Sequence, residues 1–121
     1  MQFPQFKYDF DYSIIDIGEH IKIAYRDEGK GENTLLFIHG LSSYIPAWNK
    51  IIPELSKKFR CVAIDLPGYG KSSQGIFSGS VNYYNNVIYR FIKKMKLENV
   101  TLVGHSMGGH LAIALALAYH E

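Results

Sequence analysis

Ser106 stands at the centre of Gly104-His105-Ser106-Met107-Gly108, a G-x-S-x-G pattern, and the pattern suits one kind of chemistry. A serine on a sharp turn between a strand and a helix presents its hydroxyl at the carboxyl end of a sheet, beside the positive end of the helix. The flanking glycines leave room for neighbouring backbone, and strain at such a position goes with function. A neutral hydroxyl is a poor nucleophile. Acyl transfer through Ser106 therefore needs a base for its proton and positioned donors for the negative oxygen of a tetrahedral intermediate. A glycine-rich strand-to-helix turn without chemistry is the plain alternative for the same residues.

Other motifs fit their chemistries less well. Gly70-Lys71-Ser72 imitates the end of a phosphate-binding loop, but the full pattern needs glycine where Asp65 stands. Gly68-Tyr69-Gly70 and Gly29-Lys30-Gly31 both begin a dinucleotide-binding pattern and fail at Ser73 and Thr34. Neither supports a nucleotide, and no cofactor is implied. Cys61 is the single cysteine, and no Cys or His cluster has the spacing of a zinc site. Trp48 and Cys61 read as core residues, and His20 as a solvent-facing residue of a hairpin.

The elements that must position Ser106 follow from periodicity. Residues 12–26 read as an antiparallel opening hairpin: two strands about a tight Gly18-Glu19 turn, with Ile21, Ile23 and Tyr25 alternating with Lys22, Ala24 and Arg26. Residues 35–38 form a wholly apolar run that suits a strand buried on both faces. Trp48, Ile51, Ile52 and Leu55 recur at helical spacing, with Pro53 placed to kink or split the helix. Residues 60–65 read as a further strand and 68–79 as a loop. From Ser80 a helix carries Tyr84, Ile88, Phe91, Ile92 and Met95 on one face, with Lys93, Lys94 and Lys96 near its carboxyl end. Residues 99–103 are a strand, and 107–119 a helix apolar almost all round, which calls for burial. Strands alternating with helices after a hairpin give an α/β fold with a mainly parallel sheet and flanking helices.

Two motifs at the ends of the other strands make the resemblance to the α/β-hydrolase family plain. His39-Gly40-Leu41 follows the 35–38 strand, and Asp65-Leu66-Pro67-Gly68-Tyr69-Gly70-Lys71-Ser72 matches the family's D-x-x-G-x-G-x-S turn. With the 104–108 nucleophile elbow, three motifs stand in the family's order, and the resemblance covers nearly the whole chain. It implies a serine hydrolase acting on a small acyl substrate, with Ser106 as nucleophile. It further implies an oxyanion hole of the Leu41 and Met107 N–H groups, with Gly104, Gly108, His39 and Gly40 setting the geometry. The resemblance makes the Asp65 turn architectural. His39 is expected to bond backbone and shape the oxyanion loop, and His105 to point to the opposite side of the sheet. Serine at the elbow disfavours the dehalogenase and epoxide-hydrolase branches. An acyltransferase on the same scaffold, or a non-catalytic module, are the alternatives. Tyr44, Ile45 and Tyr69 read as pocket-mouth or packing residues.

The 121 residues hold 13 Lys and Arg against 11 Asp and Glu, a net charge of +2, too mild to imply nucleic acid. The amino terminus lacks the apolar core of a secretory signal, and no apolar run reaches membrane-spanning length. A cytoplasmic protein without a membrane role is the expectation. The family supplies its acid and histidine after the nucleophile, yet only His110, His120 and Glu121 follow Ser106. Along a continuous helix His120 would lie roughly 21 Å away. The chain therefore reads as a single but incomplete domain, 1–121, the amino-terminal part of the fold, with an uncovered sheet edge suited to self-association.

Overall fold

A computed structural model describes residues 7–74 and 79–119. Its centre is set by two strands without a polar face. In β3 (Thr34–Ile38) and β4 (Arg60–Ile64), Leu36, Ile38, Val62 and Ile64 pack to one side, and Phe37, Cys61 and Ala63 to the other. Both sides are covered, so an unbroken apolar run is stable there. The first side receives Tyr84, Val87, Ile88 and Phe91 of α2 (Val81–Met95) and Leu111 and Leu115 of α3 (Met107–Ala118). The second receives Ile45, Trp48 and Ile52. Full burial of a side chain such as Phe91 contributes about 1.5–3 kcal/mol.

Five strands make one sheet in the order β1-β2-β4-β3-β5, with β1 (Ser13–Asp16), β2 (Lys22–Glu28) and β5 (Val100–Gly104). The pairs β1–β2 and β2–β4 are antiparallel, whereas β3 pairs parallel with both β4 and β5. The hairpin differs from the tight two-residue turn expected of it. Asp16 pairs with Lys22, and residues 17–21 form a wider loop closed by Ile17 N–H to Ile21 O, with Gly18, Glu19 and His20 at positive φ. Arg26, expected on the polar face, is only 5% exposed. Its guanidinium lies 4.3 Å from the Phe10 ring centroid and bonds Asn49 and Glu28, because the amino-terminal segment covers that face of β2.

The helical stripe at 48–55 is broken. A 3₁₀ turn, Ile45–Trp48, and a one-turn α1, Ile52–Leu55, each begin at a proline, Pro46 and Pro53, where the missing N–H costs nothing. Ile51 falls between them and is exposed. By contrast α2 has local start and stop signals: the Ser80 hydroxyl accepts the Tyr83 N–H at 3.1 Å, and Lys96 ends the helix in the left-handed region. The burial expected all round α3 is reached on one face only. Leu111 and Leu115 are buried, but Ile113 is 68% and Leu117 75% exposed, and among the described residues β5 is paired on one side alone. No helix of the described residues is long and apolar enough to cross a membrane.

Candidate active site

Two adjacent parallel strands send the chain to opposite faces of the sheet. From β3 the chain departs to the face carrying the 3₁₀ turn and α1, whereas from the adjacent β5 it departs to the face carrying α3. Where neighbouring parallel strands send their chains to opposite faces, a gap opens at their carboxyl ends, the usual place for a ligand. Residues 39–41 and 104–108 stand at those two ends, with Ile38 opposite Gly104 in the register.

Ser106 turns the chain from β5 into α3 at φ 56° and ψ −117°, a backbone conformation that costs a side chain-bearing residue about 1–3 kcal/mol. The turn is held from both sides. His105 N–H donates to Ile38 O at 3.2 Å, Gly108 N–H to His105 O at 2.9 Å, and Gly109 N–H to Ser106 O at 2.9 Å. The two motif glycines are required by space. A Cβ on Gly104 would collide with the Gly108 carbonyl, and one on Gly108 with the Ile38 and His39 carbonyls. Ser106 is exposed, and its side chain makes no capping bond to α3.

Opposite the serine runs the loop from His39 to Tyr44. Gly40 faces it directly, since a Cβ there would stand 3.2 Å from Ser106 Cβ and 3.1 Å from His105 O. His39 is fully buried. Its Nε2 accepts the Leu66 N–H at 3.0 Å, which leaves the proton on Nδ1, donated to Gly40 O at 2.8 Å. Burial pushes the His39 imidazole below its usual pKa and keeps it neutral, against weaker upward effects of Gly40 O and Asp65. The Gly40 carbonyl also accepts the Ser43 N–H at 3.2 Å, closing a turn with Ser42 at φ 57°. Because the peptide unit is planar and trans, anchoring Gly40 O fixes the direction of the Leu41 N–H. The N–H groups of Leu41 and Met107 donate to no described residue. The Leu41 side chain, 70% exposed, is not held in the core.

The Asp65 turn braces this loop. Buried Asp65 accepts Ile45 N–H at 2.7 Å on Oδ1, and Lys71 N–H at 2.8 Å and Tyr8 O–H at 2.6 Å on Oδ2. Its main-chain carbonyl accepts the Ser72 hydroxyl at 2.5 Å, which itself accepts the Ala24 N–H at 2.8 Å. Gly70 is obligatory here, at φ 52° with its missing Cβ directed at the Asp65 carboxylate. A carboxylate so occupied holds backbone together and has little capacity left for substrate.

The remaining histidines divide. His105 is exposed, with Nδ1 3.5 Å from a Cβ built on Gly40, and His110, exposed on α3, donates its backbone N–H to Ser106 O. His120 and Glu121, like loop residues 75–78, lie outside the described residues. Ile45 is a core residue rather than part of a pocket mouth, while Tyr44 packs against Tyr8 and Tyr69 against His39. Trp48 and Cys61 are buried, and desolvation raises the Cys61 thiol pKa. No sequence motif marks Tyr8. Its one local signal is the aromatic alternation Tyr8, Phe10, Tyr12, whose rings pack edge to face or tilted at 5.4–6.5 Å.

Comparison with known proteins identifies the fold. The family model of the alpha/beta hydrolase fold matches residues 33–121. A 2-hydroxy-6-oxononadienedioate/2-hydroxy-6-oxononatrienedioate hydrolase of Paraburkholderia phymatum is 32% identical over 114 residues, 90% of this chain and 40% of that enzyme. The dihydrolipoyllysine-residue acetyltransferase component of the acetoin cleaving system of Cupriavidus necator is 34% identical over 106 residues, 88% of this chain and 28% of that protein. Among solved structures, E-2-(acetamidomethylene)succinate hydrolase superposes with a TM-score of 0.83 at 30% identity, over 92% of this chain and 41% of that one. The chain thus spans less than half the length of the relatives it matches, and it carries the amino-terminal part of their fold. It belongs to the alpha/beta hydrolase fold family.

Proposed function

We propose that this chain supplies the nucleophile and the oxyanion donors of a serine hydrolase acting on a small acyl substrate. The observation that carries the reading is the strained Ser106 turn, at φ 56° and facing Gly40, beside which the N–H groups of Leu41 and Met107 donate to no described residue. Ser106 Oγ attacks the substrate carbonyl carbon, and its proton passes to a base. The carbonyl electron pair moves to oxygen, which the two N–H groups receive. Collapse expels the leaving group with a proton and leaves an acyl-enzyme, and water then releases the acid and restores the hydroxyl. His39 is not that base, since both its nitrogens are committed and it is buried. In the family the base and its acid follow the nucleophile.

Two similar hydrolases carry names of small dicarboxylates, which supports a small-molecule substrate. Transfer of the acyl group to an acceptor other than water is a second reading, favoured by the word acetyltransferase in the name of the Cupriavidus necator relative; partitioning between an added alcohol or amine and water tests it. For the main reading, the protein expressed from its complete reading frame is assayed with p-nitrophenyl esters beside Ser106→Ala. The variant should lose about 10³-fold or more in kcat while keeping its circular dichroism spectrum. Equal turnover by the two proteins contradicts the proposal.

A further inference from the structure

Both ends of the loop that carries Leu41 are fastened to one dipeptide. At the front, Leu66 N–H bonds His39, which in turn holds Gly40 O; at the back, the Asp65 carboxylate takes the N–H of Ile45. That carboxylate is itself oriented by a residue from far away in the chain. Tyr8, 57 positions before Asp65, donates its hydroxyl to Oδ2 at 2.6 Å. Its ring meets Tyr44, the residue before Ile45, at 5.7 Å between centroids, and Lys71 lies over it at 5.3 Å.

We propose that Tyr8 is a positioning residue for the reaction at Ser106: its hydroxyl, acting through Asp65 and the Ile45 N–H, fixes the loop that aims the Leu41 N–H. The inference rests on the acyl-enzyme reading above and extends its oxyanion hole to the amino-terminal segment. The route is short. Without the Tyr8 hydroxyl, Oδ2 keeps only Lys71 N–H, and the carboxylate gains freedom to turn about its Cβ–Cγ bond, which loosens Ile45. A donor displaced by a fraction of an ångström loses much of its value to the transition state, and little of the value of substrate binding changes. Burial, then the bond to Asp65, hold the Tyr8 phenol pKa well above its ordinary value, so the donor stays protonated at working pH.

The test uses the protein from its complete reading frame and three variants. Tyr8→Phe keeps the ring and removes the hydroxyl alone. Phe10→Leu disturbs the same segment, including the contact over Arg26 and the ring contact with Tyr8, and removes no hydroxyl. Ser106→Ala reports on the acyl-enzyme reading. With p-nitrophenyl acetate, Tyr8→Phe should lower kcat about five- to tenfold with KM changed less than about twofold, and Phe10→Leu should keep wild-type kcat. Amide hydrogen exchange over residues 40–45 should quicken in Tyr8→Phe and not in Phe10→Leu. Unchanged kcat in Tyr8→Phe, an equal fall in Phe10→Leu, or unaltered exchange would each overturn the role of Tyr8. Turnover that survives Ser106→Ala instead brings down the acyl-enzyme reading, and the exchange rates then judge the Tyr8 tie separately.

Discussion

Gly108 and Gly109 are neighbours in the first turn of α3, and alanine at each should give opposite results. In a helix, Gly→Ala is favourable by about 0.5–1 kcal/mol, so both positions gain the same intrinsic amount. At Gly109 the new methyl meets nothing closer than 3.6 Å, ordinary van der Waals contact. At Gly108 it runs into the carbonyl oxygens of Ile38 and His39. Those atoms belong to the end of β3 and cannot swing aside as a side chain would. Forced overpacking costs about 1–3 kcal/mol, and rigid backbone puts this case at the upper end. The expected outcome is Gly109→Ala more stable by up to about 1 kcal/mol and Gly108→Ala less stable by about 2 kcal/mol, a difference near 3 kcal/mol. Urea denaturation of the two variants beside wild type reads that difference as a shift in midpoint at unchanged slope. Gly108→Ala should also lose most Ser106-dependent turnover, because relief of the clash moves the Met107 N–H away from the Gly40 loop. Equal stability of the two variants within about 1 kcal/mol would mean that the elbow is not closed by contact between α3 and the end of β3.

Three further outcomes follow from the site. His39 is neutral and buried with a lowered pKa, so the unfolded chain takes up a proton at that position before the folded one does. Stability should fall with pH from about 6.5 downward, by up to about 1.4 kcal/mol per pH unit from this residue, and denaturation midpoints of His39→Gln should lack that component. Ser72→Ala leaves the buried Ala24 N–H without its acceptor, and calorimetry should register a loss of about 1–3 kcal/mol; a neutral result would mean the contact is dispensable. Ser106→Gly relieves the positive φ at the elbow, and chemical denaturation should show a gain of about 1 kcal/mol together with complete loss of turnover.

Much of the fold is legible because the controlling signals are local. The runs of β3 and β4, the Ser80 cap and the lysines closing α2 each lie within one element, and so does the G-x-S-x-G elbow. Elsewhere a local pattern met a stronger constraint. The stripe at 48–55 has helical spacing, but Pro46 and Pro53 each restart the chain, leaving a 3₁₀ turn and a single α turn. Alternation in β2 assigns Arg26 to solvent, while the amino-terminal aromatics cover that face and bury it. Residues 17–21 carry one glycine, yet Glu19 and His20 also adopt positive φ and widen the turn, which pattern alone does not reveal. In the candidate site, the placing of Ser106, Gly40, Leu41 and Met107 at the carboxyl ends of β3 and β5 follows from motifs. The tie from Tyr8 to Asp65 does not, because it joins segments 57 residues apart and is created only when the sheet assembles.

The chemistry proposed for this fold rests on one oxygen atom, Ser106 Oγ, which covalent labelling reads without a substrate. Protein purified from its native source is treated with a fluorophosphonate, digested, and mapped by mass spectrometry, with Ser106→Ala expressed in parallel. A single phosphonylated site is expected, Ser106 Oγ, lost on heat denaturation before treatment and absent from the variant. A folded, unlabelled protein, or a label that persists in Ser106→Ala, would contradict it.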